Sequence, residues 1–382
     1  MKKNYFMLAA TTMMLAACAQ TDVVNDIPEP QQQAISFETF ANKQTRADDA
    51  PTAVTNLETH HGAFSVWASK KLTDLEFSDV YGTESEGTVS YVGTEWTPSP
   101  VKFWDKAALN YYFYAAAPND AGWTLTSQTG VTADKNTVGT DGKFSLTEFT
   151  LSGTNLATAT ASMVGTWINK PGGDKDLMVA TSVSLENEKY YVSEPDPVSF
   201  TFRHILSKLN IKVKGSDLSA YSASIKLNTL NVVGLNSKAN YTESANDCDW
   251  SDWNTQYVLK GGWTGNSLEL QTDYVYTHEY LVIPQTVDYS DWMNKGTAPN
   301  LPYIYIDYNV VTTGTDPSTE NFKSYYSLAD IFGDADLVFA EGGQYTLSVS
   351  IAPDVIEFDT EEEPWVENNT KDENSMPDID IQ

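Results

Sequence analysis

The sequence contains few of the residues on which several classes of protein depend. Only two of its 382 residues are cysteines, so no framework of disulfides supports the fold. Lysine and arginine together number 23 against 52 acidic residues, which gives a formal net charge of −29. Such a chain lacks the cations that neutralise nucleic-acid phosphates or bind an anionic membrane surface. We therefore expect no nucleic-acid partner.

Motifs for catalysis and cofactor binding are also lacking. None of the four histidines stands in a zinc-ligand spacing, and phosphate-loop, dinucleotide-binding and nucleophile-elbow motifs do not occur. His204 follows a strand pattern and is interpreted as a hydrogen-bonded structural residue. The oxygens of Asp247, Asp249 and Asp252 could surround a calcium ion, but their spacing departs from that of a calcium-binding loop. We predict no enzymatic activity, no catalytic residue, no metal site and no cofactor.

The beginning of the chain has the pattern of an export signal. Two lysines precede an apolar run from Tyr5 to Ala17, which is too short for a transmembrane helix but typical of a signal-peptide core. The run ends in Leu-Ala-Ala-Cys at Cys18, which resembles the bacterial lipobox, in which the cysteine is acylated and the peptide is cut before it. We predict a lipoprotein signal over residues 1–18 with Cys18 as the lipidated residue. A plain secretory signal with an incidental cysteine is the alternative.

A strand pattern and a polar segment follow the signal. Ile35 and Phe37 fall on one face of a short alternating stretch. Residues 42–51 are polar and small, which is typical of an exposed loop that proteases can reach. This loop contains Arg46, one of only two arginines; the other, Arg203, lies within a dense strand pattern. Arg46 is therefore the predicted site of cleavage by an Arg-specific protease.

The rest of the chain is predicted to be all-β. Short alternating stretches separated by Gly, Pro, Asn and Asp clusters indicate β-sandwiches. The clearest strand patterns are residues 111–114, 198–202, 209–213, 303–308 and 345–351. A helical turn or two is predicted at residues 218–223 and at residues 328–332.

The length of the chain predicts two domains. We place the boundary in the polar stretch of residues 243–256, with an N-terminal domain over 47–243 and a C-terminal domain, including an acidic tail, over 244–382. A second candidate boundary lies near residue 195.

Together these features resemble the Bacteroidales fimbrillins, the type V pilin family. The segments that carry the resemblance occur in order from residue 15 to residue 365. They are the lipobox at Cys18, residues 35–37, residues 42–47, Trp104 with residues 110–115 and Pro118, residues 200–209, residues 281–285, residues 343–347, and residues 356–358 with Pro364 and Trp365.

The resemblance implies a structural subunit built from two transthyretin-like β-sandwich domains in tandem. Such subunits reach the outer membrane as lipoprotein precursors, and an Arg-specific protease cuts after a linker arginine. The matching cut here lies between Arg46 and Ala47 and removes residues 19–46. Loss of the N-terminal strand then opens a groove that a strand of a neighbouring subunit fills, so Ile35 and Phe37 are the predicted precursor plug strand.

The resemblance further implies a C-terminal donor strand. The candidate donor contains Ile356 and Phe358, and the alternation of Ile379 and Ile381 in the tail is a second candidate. The implied partners are other fimbrial subunits in a homo- or heteropolymer, the Arg-specific protease, and ligands on host or bacterial surfaces. The implied location is the outer membrane for the precursor and the cell-surface fimbrium for the mature subunit.

A glycan-binding surface lipoprotein that does not polymerise is the alternative function. Four tryptophans could stack on sugar rings, namely Trp250, Trp253, Trp263 and Trp292. An aromatic sandwich core explains these tryptophans as well. This alternative requires that acylated Cys18 stays on the mature protein and that no cut occurs at Arg46.

Overall fold

The computed structural model describes seventeen stretches of the chain: residues 33–41, 52–53, 57, 61–73, 76–82, 87–126, 142–151, 154–155, 176–180, 182–186, 196–243, 248–251, 257–274, 276–288, 302–313, 317–333 and 336–364. Within these ranges the chain forms β-strands and one short α-helix. The all-β prediction is therefore confirmed.

The strands in chain order are β1 (Phe37–Ala41), β2 (Thr52–Ala53), β3 (Ala63–Thr73), β4 (Glu76–Tyr81), β5 (Gly87–Val92), β6 (Glu95–Ser99), β7 (Asn110–Ala117), β8 (Thr124–Thr126), β9 (Lys143–Thr150), β10 (Thr154–Asn155), β11 (Met178–Ala180), β12 (Val183–Glu186), β13 (Val198–His204), β14 (Ser207–Gly215), β15 (Ala223–Asn236), β16 (Lys238–Glu243), β17 (Cys248–Ser251), β18 (Tyr257–Glu269), β19 (Tyr276–Val282), β20 (Gln285–Asp288), β21 (Tyr303–Thr312), β22 (Thr319–Ser327), β23 (Asp336–Phe339), β24 (Gly343–Ile351) and β25 (Ile356–Pro364). All five of the clearest strand patterns in the sequence lie within strands of the structure.

The largest sheet closes on itself. Its pairings run from β1 to β6, β5, β3, β7, β11 and β13, and β13 pairs again with β1. Strands β2, β4 and β12 are attached to this ring by pairing with β1, β3 and β7. The inward side chains form an aromatic core that includes Phe64, Phe113, Phe200 and Phe202. We call this arrangement the N-terminal ring.

A second, four-stranded sheet covers part of the outside of the N-terminal ring. It has the order β17-β16-β9-β8, and its Phe144 and Tyr241 share a core with Trp67 of β3 and Tyr114 of β7. Strand β3 is consequently buried on both faces, which explains its unbroken run of buried residues. A strand covered on both sides loses the alternation that a one-sided strand shows.

The C-terminal part of the described fold consists of two sheets around one core. The five-stranded sheet has the order β10-β18-β15-β21-β22, and the four-stranded sheet has the order β19-β14-β24-β25. Inward residues of both sheets, such as Ile211, Leu230, Ile306 and Leu347, form a single cluster. We call this arrangement the C-terminal sandwich.

Residues 205–206 join β13 of the N-terminal ring to β14 of the C-terminal sandwich. The chain also reaches the sandwich earlier, at β10, and returns to the sheet outside the ring at β16 and β17. Residues 248–251, inside the polar stretch in which we placed the domain boundary, form β17 and pair with β16. Trp250 packs there on Phe149 and Tyr241, so a mostly polar stretch can still supply a strand through one large apolar side chain. The predicted domain limits at 243 and 244, with the alternative near 195, remain predictions.

The helix α1 (Leu328–Phe332) is one of the two predicted helical stretches. Ser327 Oγ accepts a hydrogen bond from the Asp330 amide at 3.3 Å, and Gly333 ends the helix in the left-handed region at φ 74°. The other stretch, residues 218–223, is a turn that leads into β15. No helix in the described ranges is both long and apolar enough to cross a membrane.

Candidate functional site

The predicted plug strand lies inside the N-terminal ring. Strand β1 runs parallel to β13, with Phe37 opposite Val198 and Ala41 opposite Phe202. On its other side it pairs with β6 only where Phe37 faces Trp96. The Val198 amide donates to Ser36 O at 2.8 Å, just before β1 begins. Strand β1 is thus an internal member of the closed sheet.

The side chains predicted to fill the groove point into the core of the ring. Ile35 is 1% exposed, Phe37 is 5% exposed and Thr39 is 7% exposed. Burial of two such apolar side chains contributes roughly 1.5–3 kcal/mol each. The inward position of Thr39 was not anticipated from the sequence, although it has the same parity as Ile35 and Phe37 in an alternating strand.

Phe37 occupies a pocket lined with aromatic rings. Its ring stacks on Phe200 with centroids 5.9 Å apart, and it meets Phe113 at 6.2 Å, Tyr81 at 6.3 Å and Phe64 at 6.4 Å. Edge-to-face and offset arrangements at these distances are favourable for aromatic pairs. The Tyr81 hydroxyl is uncharged at neutral pH at its ordinary pKa of 10, and burial raises that pKa further. The pocket is therefore suited to a phenyl ring.

Thr39 is the polar residue among the inward side chains of this strand. Its hydroxyl oxygen is buried and has no hydrogen-bond partner among the described residues. A buried hydroxyl without a partner destabilises a structure by about 1–3 kcal/mol. The buried hydroxyl of Thr39 consequently offsets part of the stabilisation that burial of Ile35 and Phe37 gives to the packing of β1 in the ring.

The start of β1 is held by a loop and not by a full strand. The Ile35 amide donates to Lys102 O at 2.9 Å, and the Trp104 amide donates to Gln33 O at 3.0 Å. This loop is anchored in turn by Lys70, whose ammonium lies 2.5 Å from Asp105 Oδ2.

Strand β25, which contains the candidate donor residues, has a different environment. It lies at the edge of its sheet and pairs only with β24 among the described strands. Ile356 and Phe358 are half-buried against the core of the C-terminal sandwich, and the Phe358 ring lies 4.7 Å from that of Tyr326. The outward side chains of β25 are all acidic and exposed up to Glu363.

Of the two arginines, Arg203 lies in a described strand and Arg46 does not. Arg46 and Ala47 lie outside the described residues, in the segment 42–51 that joins β1 to β2. Arg203 lies in β13, where its guanidinium forms ion pairs with Glu341 and, at 3.3 Å, with Glu243. These ion pairs connect the ring to β16 and to the turn before β24.

Of the remaining candidate residues, those that the structure describes do not form a second site. His204 is buried, and its Nδ1 contacts Asp176, in keeping with a structural role. No group of three or more potential ligands that could hold a metal ion occurs in the part of the chain that the structure describes. Asp247 and Asp252 lie outside that part, as do Cys18, Trp253, Trp292, Ile379 and Ile381, and the side chain of Trp263 is not described. Trp250 packs on Phe149 and Tyr241 and does not form an open platform.

Comparison with known proteins identifies one family. The family model described as fimbrillin-like matches residues 45–365. A solved fimbrial protein from Bacteroides vulgatus is 17% identical with a TM-score of 0.49, and the match covers 87% of this chain and 99% of that one. The tip fimbrial protein Mfa3 from Porphyromonas gingivalis, solved with a C-terminal truncation, is 12% identical with a TM-score of 0.39, over 87% and 99% of the two chains. No curated protein is similar enough to count as a match. At these identities and scores the family assignment depends on the family model.

Proposed function

The chain belongs to the fimbrillin-like family, and from this premise we propose that it is a structural subunit of a cell-surface fimbrium that supports adhesion. The proposed subunit has no catalytic activity. It associates with other fimbrial subunits, is processed by an Arg-specific protease, and contacts ligands on host or bacterial surfaces.

The proposed maturation begins with a lipoprotein precursor acylated at Cys18 in the outer membrane. Two or three acyl chains anchor a protein stably, because each buried methylene contributes about 0.8 kcal/mol. Cleavage between Arg46 and Ala47 then separates β1 from the rest of the chain and releases the mature subunit into the fimbrium. Two transthyretin-like domains in tandem are part of the same proposal.

The observation that carries the proposal is the burial of Ile35 and Phe37 in the middle of a closed sheet. Removing β1 would leave one edge of β13 without its hydrogen-bonded partner and open an apolar groove in the core, both of which are unfavourable in water. A strand from a neighbouring subunit restores the main-chain hydrogen bonds and fills alternate pockets. In the proposed exchange, the donor is C-terminal and contains Ile356 and Phe358.

The position of β1 also explains why a covalent cut is needed. In the uncut chain β1 is tied to β2 through residues 42–51, so it rebinds its own groove at high effective concentration. After the cut, dissociation of β1 is no longer opposed by the tether. The uncut precursor should therefore stay monomeric.

The test is to compare wild type with Arg46→Ala before and after treatment with an Arg-specific protease. Wild type should form a ladder of oligomers on a non-denaturing gel after the cut, with Ala47 as the new N-terminus by mass spectrometry, whereas Arg46→Ala should remain a monomer. Arg203→Lys is the matched control, because it removes the other arginine and keeps its positive charge. Equal oligomers from Arg46→Ala and wild type would refute the plug, and acylated Cys18 on the mature surface protein would favour the glycan-binding lipoprotein.

A further inference from the structure

The outward face of β21 and β22, at one edge of the C-terminal sandwich, is built from side chains in pairs. Alternate residues of β21 are buried in the core of the sandwich, so the residues between them face outward. Directly opposite outward residues form a tyrosine pair, an acid–lysine pair and an asparagine pair: Tyr305 with Tyr325, Asp307 with Lys323, and Asn309 with Asn321. We call these six residues the tyrosine–asparagine face.

One end of this face is aromatic. The Tyr325 ring lies 4.8 Å from the Tyr305 ring and 5.6 Å from the ring of the neighbouring Tyr303, measured between centroids. Tyr325 is 41% exposed, whereas the two rings beside it are half-buried. Tyrosine offers a large and rigid contact area and loses little conformational entropy when a ligand binds. Tyr325 is thus an accessible ring that two other rings support.

The other end of the face is a network of amides around one carboxylate. Asp307 Oδ1 accepts hydrogen bonds from Asn228 Nδ2 at 2.9 Å and from Asn321 Nδ2 at 2.8 Å. Asn321 Nδ2 also donates to Asn309 Oδ1 at 2.9 Å, and the Tyr305 hydroxyl donates to Asp307 Oδ2 at 3.2 Å. The network therefore holds both ends of the face in place before any ligand arrives, which lowers the entropic cost of binding.

The face carries no net charge, which sets it apart in this chain. The Lys323 ammonium lies 3.7 Å from Asp307 Oδ2, and the lysine side chain is 58% exposed. One acid and one base thus offset each other here, although the whole chain has a formal net charge of −29. An exposed lysine repels a cationic ligand, and the neighbouring carboxylate repels an anionic one. The charges consequently favour a neutral ligand.

The chemistry of the two ends describes that ligand more closely. The tyrosine rings suit an apolar surface of C–H groups, and the side-chain amides both donate and accept hydrogen bonds. A neutral hexopyranose has C–H groups on the face of its ring and several hydroxyls around its rim, each of which is a donor and an acceptor. A polypeptide backbone offers only one donor and one acceptor per residue. The density of amides beside the rings therefore favours a sugar.

We propose that the tyrosine–asparagine face binds neutral hexopyranose glycans, with a sugar ring stacked on Tyr325 and sugar hydroxyls bonded to the exposed Asn321 amide. This inference rests on the proposed adhesive function and deepens it, because it names the class of surface ligand and the residues that bind it. It differs from the non-polymerising lipoprotein, because it uses none of the four candidate tryptophans and does not require acylated Cys18 on the mature protein. The face includes no residue of β1 or β25, so sugar binding and strand exchange are compatible.

Binding to an array of immobilised oligosaccharides tests the proposal. The array carries neutral oligosaccharides of glucose, galactose, mannose and N-acetylglucosamine, their sialylated and sulfated forms, and spots of unglycosylated protein. Uncut full-length protein is applied as wild type and as the variants Tyr325→Ala, Tyr325→Phe and Asn321→Ala. Tyr274→Ala is the matched control, because Tyr274 is 42% exposed and lies outside the face. Thermal unfolding followed by circular dichroism checks that each variant is folded.

Wild type should bind at least one neutral oligosaccharide, and Tyr325→Ala and Asn321→Ala should each weaken that binding about tenfold, as expected of residues at the centre of a binding site. Tyr325→Phe keeps the ring, so it should bind within about threefold of wild type, and Tyr274→Ala should be unchanged.

Three results would overturn the proposal. Wild type that binds no neutral oligosaccharide, or binds only the charged forms, would refute the chemistry of the ligand. Neutral binding that Tyr325→Ala and Asn321→Ala leave unchanged would place the sugar elsewhere. Equal retention on unglycosylated protein would assign a protein partner instead. None of these results alters the ladder of oligomers that cut wild type should form, so the assembly of the subunit is judged separately.

The variants also separate this inference from the role in assembly. Tyr325→Ala and Asn321→Ala, cut with the Arg-specific protease, should give the same ladder as cut wild type on a non-denaturing gel, because the face lies apart from the groove of β1. Loss of the ladder in both variants would show that the face is a contact between subunits and not a sugar site.

Discussion

Strands β1 and β14 hold equivalent places in the two parts of the described fold. Each supplies the first residues of its core along the chain, and each runs parallel to a strand that comes late in the same part, β13 for β1 and β24 for β14. The two strands differ in how firmly they are held. In our proposal, that difference separates a strand that the fold requires from one that is exchanged.

Strand β14 is held along its whole length. It has nine residues, pairs with β19 over residues 207–213 and with β24 over residues 208–215. The inward residues Leu209, Ile211 and Val213 are fully buried aliphatic side chains. Only two residues separate it from β13, so no linker allows it to leave.

Strand β1 is shorter and less well paired. It has five residues, and apart from β13 it meets β6 at one residue pair and β2 at two. Its inward row includes Thr39, whose hydroxyl has no partner among the described residues. Its connection to β2 is the segment that contains Arg46. The two strands therefore have equivalent positions but different roles: β14 is a permanent part of the C-terminal sandwich, whereas in our proposal β1 is exchanged.

The largest effect is expected when an aspartate is introduced on the inward face of either strand. Ile211→Asp places a carboxylate in the core of the C-terminal sandwich and should destabilise the protein on the order of 5 kcal/mol, so that this part no longer folds cooperatively. Phe37→Asp should expel β1 and leave the other strands paired, because β1 is the shorter and less well paired of the two strands. Thermal unfolding followed by circular dichroism distinguishes the two variants, and equal loss of structure would show that β1 is as necessary as β14.

The strand content of both parts could be predicted from alternation, but the difference between β1 and β14 could not. The alternation of Ile35 and Phe37 predicts an inward face, and the five clearest strand patterns lie within strands of the structure. Pairing of β1 with β13 joins residues about 160 positions apart, and no local pattern encodes such a partner. The missing partner of Thr39 and the strand at residues 248–251 depend in the same way on what the rest of the chain places beside them. The processing sites at Cys18 and Arg46 lie outside the described residues and remain predictions from the sequence.

Truncation of Phe37 gives the next largest effect. Phe37→Ala empties the aromatic pocket and should weaken the attachment of β1 by about 3–5 kcal/mol. Hydrogen exchange measured by mass spectrometry should show faster exchange of the β1 amides in the uncut variant, with the β14 amides unchanged. Phe103→Ala is the control, because Phe103 lies beside Ala34 but its side chain is 49% exposed. Equal acceleration in both strands would contradict local release of β1.

A pair of threonine substitutions sharpens the comparison at single-atom level. Thr39→Val removes a buried hydroxyl that has no partner and should stabilise the uncut protein by about 1 kcal/mol. Thr346→Val should instead destabilise it by a similar amount, because Thr346 Oγ1 accepts a hydrogen bond from Asn210 of β14 at 3.4 Å. Urea unfolding of the two variants measures both signs. Destabilisation by Thr39→Val would mean that its hydroxyl is satisfied in solution.

The smallest effect is a dependence of stability on pH. The start of β1 is held by a loop that an ion pair between Lys70 and Asp105 anchors, whereas β14 is flanked by strands on both sides. A hydrogen bond from the Lys70 ammonium, supported by the Ala107 amide, lowers the pKa of Asp105 below its ordinary value of 3.8. A carboxyl whose pKa is lower in the folded state adds stability above that ordinary value, and this contribution disappears as the pH falls through the folded pKa. Since the pair is partly exposed, its contribution should stay below about 1 kcal/mol. Lys70→Met should therefore be less stable than wild type at pH 7, and the gap should narrow as the pH is lowered from 5 to 2. Urea unfolding of uncut protein across this range measures the gap, and a gap independent of pH would mean that Lys70 acts through packing and not through Asp105.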